Sequence, residues 1–207
     1  MPPQLSLWKF FGFCAVFMGI VLFCVAAGGY TSFYRSQNRI DGTKAYLTDT
    51  CKERLDLIPG LIEITKKSLP QYPTQEISQT TERATHILQY VISEGKLVDK
   101  DLVKDFEDSQ MKLTAQLKNL LTQSDVHLDK TYSRQFADMK NQLITAQNNL
   151  FVTKKRYNDE VAYYNTRKTA VLTSFFAKLF GFDQVHYIEL SNEPFLPAHQ
   201  VFAPKTP

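Results

Sequence analysis

Residues 136–164 read FADMKNQLITAQNNLFVTKKRYNDEVAYY, and apolar or aromatic side chains recur along them at alternating steps of three and four, with one slip. A stripe with that spacing lies on one side of an α-helix, because the helix repeats about every 3.6 residues. The stretch therefore predicts one long helix with a single buried face. The recurring positions are Phe136, Met139, Leu143, Ala146, Leu150, Tyr157, Val161 and Tyr164.

Three earlier stripes predict three further helices. They run from Tyr46 to Ile62, from Ile77 to Ile92 and from about Lys100 to Leu121. Short loops join antiparallel neighbours, so residues 35–182 are predicted to form an all-α, up-down four-helix bundle. The predicted loops are Leu69–Pro73 with its two prolines, residues 95–99 with Gly95 as one cap and Asp99 or Asp101 as the next, and the polar residues 122–129.

Pro59 lies inside the first of these stripes. Proline removes one backbone donor from a helix and clashes with the preceding turn. Asp56 is placed to cap a new helix that begins at Leu57. We therefore expect a kink or a brief break between Leu57 and Gly60.

An uncharged segment, residues 10–34, precedes the predicted bundle. As a helix it is about 37 Å long, which exceeds the roughly 30 Å hydrocarbon core of a bilayer. Lys9 stands before it, and Arg35, Arg39 and Lys44 follow it. The segment is therefore predicted to be a transmembrane helix, with residues 1–9 as a short N-terminal flank.

Two other interpretations of this segment place a processing site in it. Val25-Ala26-Ala27 resembles a signal-peptidase site, whereas Cys24 is a poor lipoprotein site because Phe23 precedes it. The segment stays uncharged past Ala27 to Tyr34, longer than the roughly 7 to 15 apolar residues of a signal peptide. A membrane anchor is therefore favoured over a cleaved signal.

Basic residues are unequally distributed around the anchor. Lys9 precedes it, whereas five basic residues follow it within about 20 positions, the range over which such charges set orientation. This excess favours an N-terminus outside and a body in the cytoplasm. Of the three cysteines, Cys51 alone lies outside the segment, so no disulfide framework is expected, in agreement with a reducing compartment.

Residues 35–207 form the water-soluble part of the chain. They hold all 21 acidic residues and all but one of the 24 basic residues, so their net charge is only +2. Nucleic-acid-binding domains concentrate larger basic patches than the single triplet Lys154-Lys155-Arg156. We expect one domain with its own core and no nucleic-acid partner.

Catalytic and metal-binding constellations are absent from the sequence. No histidine follows a glutamate by three positions, as the helical di-iron proteins require. The zinc-protease, paired-cysteine, phosphate-loop and nucleophile-elbow motifs are absent as well. We expect no enzymatic activity, no cofactor and no metal.

Three groups of residues carry a family resemblance. They are RLDLIPGLIE at residues 54–63, KRYND and YNT at 155–166, and LFGF at 179–182. Together they resemble the motifs of the LemA family. The resemblance implies a bacterial protein anchored in the inner membrane, or in an organelle derived from it, with an antiparallel helical bundle and no settled activity. The chain departs from the family at Gly60, where Asn is usual, and at Gln147-Asn148-Asn149, where an acid-Asn-Arg triplet is usual.

Polar motif residues are the first candidates for an interaction site. Asn158 and Asn165 are seven positions apart on one helix, so they point the same way. Arg54 and Asp56 face them if the first and last helices pack together. The set is either a buried hydrogen-bonded group that fixes helix register or a polar groove for a partner or ligand.

Aromatic residues crowd the end of the last helix, and Gly181 is placed there as a C-cap. This end lies on the membrane-proximal side if the last helix runs antiparallel to the first. It either caps the open end of the bundle or docks on the bilayer or on another protein. The candidate structural or interaction residues are Arg54, Asp56, Pro59, Tyr157, Asn158, Asn165, Phe175, Phe176, Phe180, Gly181 and Phe182.

Residues 183–207 are predicted to form an extended tail. Val185–Leu190 has a strand-like composition but no partner strand, so we expect it to lie along the bundle as an arm. Four prolines follow, and they predict mobility beyond about residue 192.

Two functional hypotheses from different classes remain. In the first, a non-enzymatic bundle organises partners at the membrane, by contact with the bilayer, a protein partner or a second copy. Relatives in magnetosome-bearing bacteria make membrane-organelle biogenesis one version of this role. In the alternative, the bundle is a membrane-tethered sensor that binds a ligand between its helices.

Overall fold

The computed structural model describes residues 7–94, 100–127, 132–169 and 171–190, which contain five helices and no strand. The predicted all-α class is therefore confirmed. The caps predicted at Gly95 and Asp99, and the tail beyond residue 192, lie outside the described residues. The helices are α1 (Leu7–Ser68), α2 (Thr74–Glu94), α3 (Lys100–His127), α4 (Ser133–Thr169) and α5 (Val171–Leu179).

The α1 helix continues through Pro59, so a break between Leu57 and Gly60 is wrong, and a kink there stays a prediction. Pro59 is exposed, and a proline inside a helix costs about 3 kcal/mol. Leu55, Ile58 and Leu61 are buried around it. Burial of each such side chain contributes about 1.5–3 kcal/mol, so together they outweigh the cost of the proline.

The α3 helix ends at His127, six residues beyond the predicted end at Leu121, so the predicted loop at residues 122–129 begins too early. Its last turns contain polar side chains that bond back to the helix. The Thr122 hydroxyl donates to the Lys118 carbonyl at 2.9 Å, and the Ser124 hydroxyl donates to the Leu120 carbonyl at 2.5 Å. These bonds satisfy the hydroxyl groups without ending the helix.

The loop predicted at Leu69–Pro73 is present between α1 and α2. There the backbone N–H of Tyr72 donates to the Leu69 carbonyl at 3.0 Å, in a turn. Pro70 and Pro73 cannot donate such bonds, which explains why the chain leaves the helix at this point.

Contacts divide the chain into two compact units. The first, here called the anchor unit, comprises Met1–Arg39 and Ala162–Val185. The second, the body unit, comprises Ile40–Val161 and His186–Pro207. The domain boundaries predicted at residues 35 and 183 stay predictions.

The core of the body unit is built from the predicted stripes. Each of the four helices in this unit places its regularly spaced apolar side chains inside, which is why the spacing predicts the helices correctly. The buried positions include Leu47, Ile58, Leu61, Ile77, Ala84, Leu88, Phe106, Leu113, Leu117, Leu143, Leu150 and Val161.

Two contacts join α1 to α4 within the body unit. Arg54 contacts Gln147, and a Cβ atom added to Gly60 would lie 3.0 Å from the Cε atom of Met139. Residue numbers rise along α1 as they fall along α4, as expected for antiparallel neighbours. Helices α2 and α3 also lie side by side. The complete up-down topology stays a prediction.

The anchor unit contains the apolar start of α1, which is long and apolar enough to cross a membrane. Its most apolar window has a mean hydropathy of 2.6, and 0% of that window is buried. It is the one such helix in the described ranges. This exposed apolar surface fits a membrane-anchored protein.

Candidate interaction site

Asn158 on α4 holds the backbone of a residue thirty positions later in the body unit. Its side-chain amide donates to the Ile188 carbonyl at 2.8 Å and accepts from the Ile188 N–H at 2.9 Å. Beside it, the Tyr157 hydroxyl donates to the His186 carbonyl at 3.1 Å. Ile188 itself is buried. The predicted arm is therefore fixed by paired backbone bonds.

The anchor unit contains a second pair of the same kind. The Asn165 amide donates to the Val185 carbonyl at 2.8 Å and accepts from the Val185 N–H at 3.2 Å. The neighbouring Tyr164 hydroxyl donates to the Asp183 carbonyl at 3.0 Å. The two Tyr-Asn pairs are seven residues apart along α4, and each pair holds an extended segment.

Charged side chains complete the contacts of the arm in the body unit. The Lys154 ammonium donates to the Leu190 carbonyl at 3.2 Å, and the Glu189 N–H donates to the Glu107 carboxylate at 2.5 Å. Partial burial lowers the pKa of Lys154, while the charge of Glu189 opposes this shift. Partial burial also raises the pKa of Glu107, mainly by removing water from its carboxylate.

These contacts have a common chemistry. The hydrogen bonds that join Tyr157, Asn158, Tyr164 and Asn165 to residues 183–190 end on backbone N–H or C=O groups. Backbone groups are the same in almost every residue. In each unit, these hydrogen bonds therefore hold the extended segment by its backbone and do not depend on which side chains it carries.

Apart from these contacts, a polar cluster in the body unit surrounds Arg54, which is 0% exposed. One terminal nitrogen, Nη1, donates to the Thr114 hydroxyl at 2.9 Å and to the side-chain amide oxygen of Gln147 at 2.6 Å. The other, Nη2, donates to the Gln110 side-chain oxygen. The Nε atom of Arg54 and the Nε2 atom of Gln110 have no hydrogen-bond partner among the described residues.

The Arg54 cluster carries a positive charge, and the side chains that accept hydrogen bonds from the guanidinium are neutral. Burial lowers the pKa of Arg54 to about 10, so the guanidinium remains charged near neutral pH. Burial raises the pKa of the neighbouring Cys51 thiol to about 12, although the Arg54 charge opposes that shift. Cys51 is therefore a protonated thiol inside the core, which is unreactive because the thiolate is the nucleophile.

The aromatic residues around α5 pack on α1 within the anchor unit. The Phe176 ring lies 3.6 Å from the position of a Cβ atom on Gly29, and the Phe180 ring centroid lies 5.2 Å from that of Tyr30. Phe182 stacks on Phe33 with centroids 5.1 Å apart. By contrast, Phe175 is 65% exposed.

Gly181 ends α5 as predicted. Its φ of 69° lies in the left-handed region, and its N–H donates to the Lys178 carbonyl at 3.3 Å. The Phe182 N–H donates to the Ala177 carbonyl at 2.9 Å. These two bonds form a Schellman motif, which directs Phe182 back towards the helix.

The LemA family model matches residues 45–200, about three quarters of the chain. The chain belongs to the LemA family. None of the curated proteins matches it. The matched range contains the Arg54 cluster and the two Tyr-Asn pairs, which LemA motif residues form.

Arg54 and Asp56, two LemA motif residues, lie in different surroundings. Asp56 is exposed in a shallow groove shared with Asn141 and Asn149, whereas Arg54 is buried with Gln147. The bonds of Asn158 and Asn165 described above go to the backbone of Ile188 and Val185, whereas those of Arg54 go to side chains of α3 and α4. That the two asparagines face Arg54 and Asp56 stays a prediction.

Sequence reasoning missed Gln110 and Thr114 as partners of Arg54. A signal was present, because both lie four apart on the apolar face of α3 that also carries Phe106, Leu113 and Leu117. A polar residue inside a buried stripe requires a hydrogen-bond partner. In this LemA-family chain the partner is the buried arginine of the first motif.

Proposed function

We propose that this LemA-family chain is a non-enzymatic, single-pass membrane protein whose helical body acts as a scaffold or interaction module. The body is an up-down four-helix bundle in the cytoplasm, and the N-terminus lies outside. Its partners are the bilayer and either another protein or a second copy. Family membership and the exposed apolar start of α1 support the anchoring.

The observation that carries the proposal is that the polar side chains of the LemA motifs form hydrogen bonds within their own chain. Tyr157, Asn158, Tyr164 and Asn165 bond the backbone of their own chain, and Arg54 bonds side chains of α3 and α4. Such internal bonds specify a shape instead of binding a substrate. A motif used in this way supports a structural role.

The membrane orientation is tested with a cysteine on each side of the anchor. In a background without the native cysteines, Ala115→Cys places a thiol on an exposed position of α3, and Ser6→Cys places one in the N-terminal flank. A membrane-impermeant maleimide should label Ser6→Cys in spheroplasts and Ala115→Cys only in everted vesicles. The opposite pattern would overturn the cytoplasmic placement.

The interaction role is tested with a photo-crosslinking amino acid in living cells. Val152 on α4 and Met111 on α3 are 49% and 39% exposed although they are apolar, and Lys155, one turn after Val152, is an exposed polar control. A scaffold should give discrete protein adducts, or a dimer, from positions 152 or 111 and weaker adducts from position 155. If positions 152 and 111 give no protein adduct in cells, the proposed scaffold role fails.

A further inference from the structure

Helix α5 has one face on α1 and another that is uncovered. Phe176 and Phe180 lie four residues apart and contact Gly29 and Tyr30 of α1. Phe175 and Leu179 are also four residues apart, so they share the other face, since residues i and i+4 are neighbours on a helix. They are 65% and 61% exposed.

The contact between α5 and α1 shows how far along α1 the helix α5 lies within the anchor unit. Gly29 lies six residues before Arg35, the first charged residue after the apolar segment, which corresponds to about 9 Å along a helix. Tyr30 and Tyr34, stacked at 6.2 Å, lie between the two, where aromatic residues are expected at the edge of a membrane. The contact therefore falls on the lipid side of the first cation.

The uncovered face of α5 continues an apolar surface that is already exposed. Phe23 and Val25, six and four residues before Gly29, are 73% and 51% exposed on α1. Within α5 the only charged residue in the sequence is Lys178, which is exposed. Long cationic side chains in this position reach the lipid headgroups while their stems stay in the apolar region.

We propose that α5 is a second membrane-binding element, lying in the interfacial region beside the transmembrane helix with Phe175 and Leu179 among the acyl chains. The proposal rests on the membrane anchoring of the proposed function. Lys178 then contacts headgroup phosphates. The bilayer is the occupant because the uncovered face adjoins the membrane-spanning surface of α1, on the lipid side of Arg35.

Tryptophan fluorescence in vesicles tests this proposal. The native Trp8 is replaced (Trp8→Phe), and single tryptophans are introduced into the full chain by Phe175→Trp or Leu179→Trp. Phe17→Trp in the apolar segment and Tyr46→Trp in the body unit are the matched aromatic controls, because both positions are exposed. Each variant is reconstituted in vesicles of phosphatidylcholine and phosphatidylglycerol, with or without bromine on the acyl chains near the headgroups.

Brominated lipid should quench Phe175→Trp and Leu179→Trp strongly, with emission shifted to shorter wavelength, while Tyr46→Trp stays unquenched. Because the vesicles contain no other protein, such quenching requires lipid contact. If Phe17→Trp is quenched but both α5 variants emit as in water, the inference is overturned while the anchoring holds. If Phe17→Trp also escapes quenching, both proposals fail. Circular dichroism shows that each variant keeps its helix content.

Discussion

The side-chain amide of Asn158 accepts a hydrogen bond from the Ile188 N–H at 2.9 Å and donates one to the Ile188 carbonyl at 2.8 Å. One side chain thus satisfies both backbone groups of a residue in a segment that has no helix or strand. Such a segment otherwise depends on water for these bonds.

Replacing Asn158 with alanine should release the arm. Two hydrogen bonds are lost, which destabilises the docked segment by about 1–3 kcal/mol. Amide hydrogen exchange at Ile188 should become correspondingly faster, while exchange in α3 stays unchanged. Asn149→Ala is the control, because Asn149 is an exposed asparagine on the same helix. Equal exchange at Ile188 in both variants would show that other contacts hold the arm.

Replacing Gln147 with glutamate should stabilise the body unit by giving Arg54 an acidic partner. Hydrogen bonds to charged groups contribute about 1.5–3 kcal/mol against about 0.5–1.5 for neutral ones, so we expect a gain of about 1 kcal/mol near neutral pH. Urea denaturation measures it. Gln142→Glu, at an exposed glutamine on the same helix, controls for the added charge.

The gain from Gln147→Glu should depend on pH. The Arg54 charge would lower the pKa of the new carboxyl in the folded state, so its stabilisation is present above the unfolded pKa of about 4.3. It is lost as the pH falls through the lower, folded pKa. A gain that persists after the carboxyl is protonated would contradict an ionic contact.

Replacing Tyr157 with phenylalanine should make the free energy of unfolding fall less steeply as the pH rises in the alkaline range. Burial raises the pKa of Tyr157 from 10.0 to about 12, so the folded state keeps its proton where the unfolded state loses it. Stability is therefore complete below the unfolded pKa and falls as the pH rises towards 12, by up to about 1.4 kcal/mol per pH unit. The variant loses this dependence, together with the bond to His186.

Thermal unfolding of Tyr157→Phe is compared with wild type and with Tyr46→Phe, an exposed control. The comparison between variants is required because Arg54 acts in the opposite direction. Its pKa is lowered by burial, so its contribution to stability increases at high pH. If the stability of wild type and of Tyr157→Phe fell equally with rising pH, the proposed contribution of Tyr157 ionisation would be refuted.

Two glycine-to-alanine substitutions should act in opposite directions. Gly181 has a φ of 69°, where a side chain is strained by about 1–2 kcal/mol, so Gly181→Ala should lower the melting temperature. Gly42 is exposed within α1, and apart from its chain neighbours and the adjacent backbone of its own helix nothing lies within 4 Å of an added Cβ. Gly42→Ala should therefore raise stability by about 0.5–1 kcal/mol. If both substitutions shifted the melting temperature in the same direction, the role of Gly181 as the C-cap of α5 would be contradicted.

Local patterns predicted the helices well but misjudged the break at Pro59 and the end of α3. The stripe of α4 is explicit, because Leu143, Leu150 and Val161 are both regularly spaced and buried. Pro59 and Ser124 misled the prediction because each has a local effect that its neighbours override: burial around the proline, and a bond from the serine to its own helix.

Partners distant in sequence could not be read from local patterns. Arg54 meets Gln110 and Gln147, 56 and 93 positions away, and Asn158 meets Ile188 across a turn and a separate helix. Periodicity identified the residues that face inwards but contains no information about which helix each one meets. The Tyr-Asn repeat was visible as a motif, whereas its backbone partners were not.

The backbone-directed bonds of α4 also determine which substitutions the arm tolerates. His186 and Tyr187 can change their side chains without loss of these bonds, whereas a change of Tyr157, Asn158 or Asn165 removes the side-chain groups that form them. Proline is the exception at Val185, Ile188 and Glu189, since each donates its N–H to a side chain. These bonds therefore exclude proline at the three donor positions, while burial separately requires apolar side chains at Ile188 and Leu190.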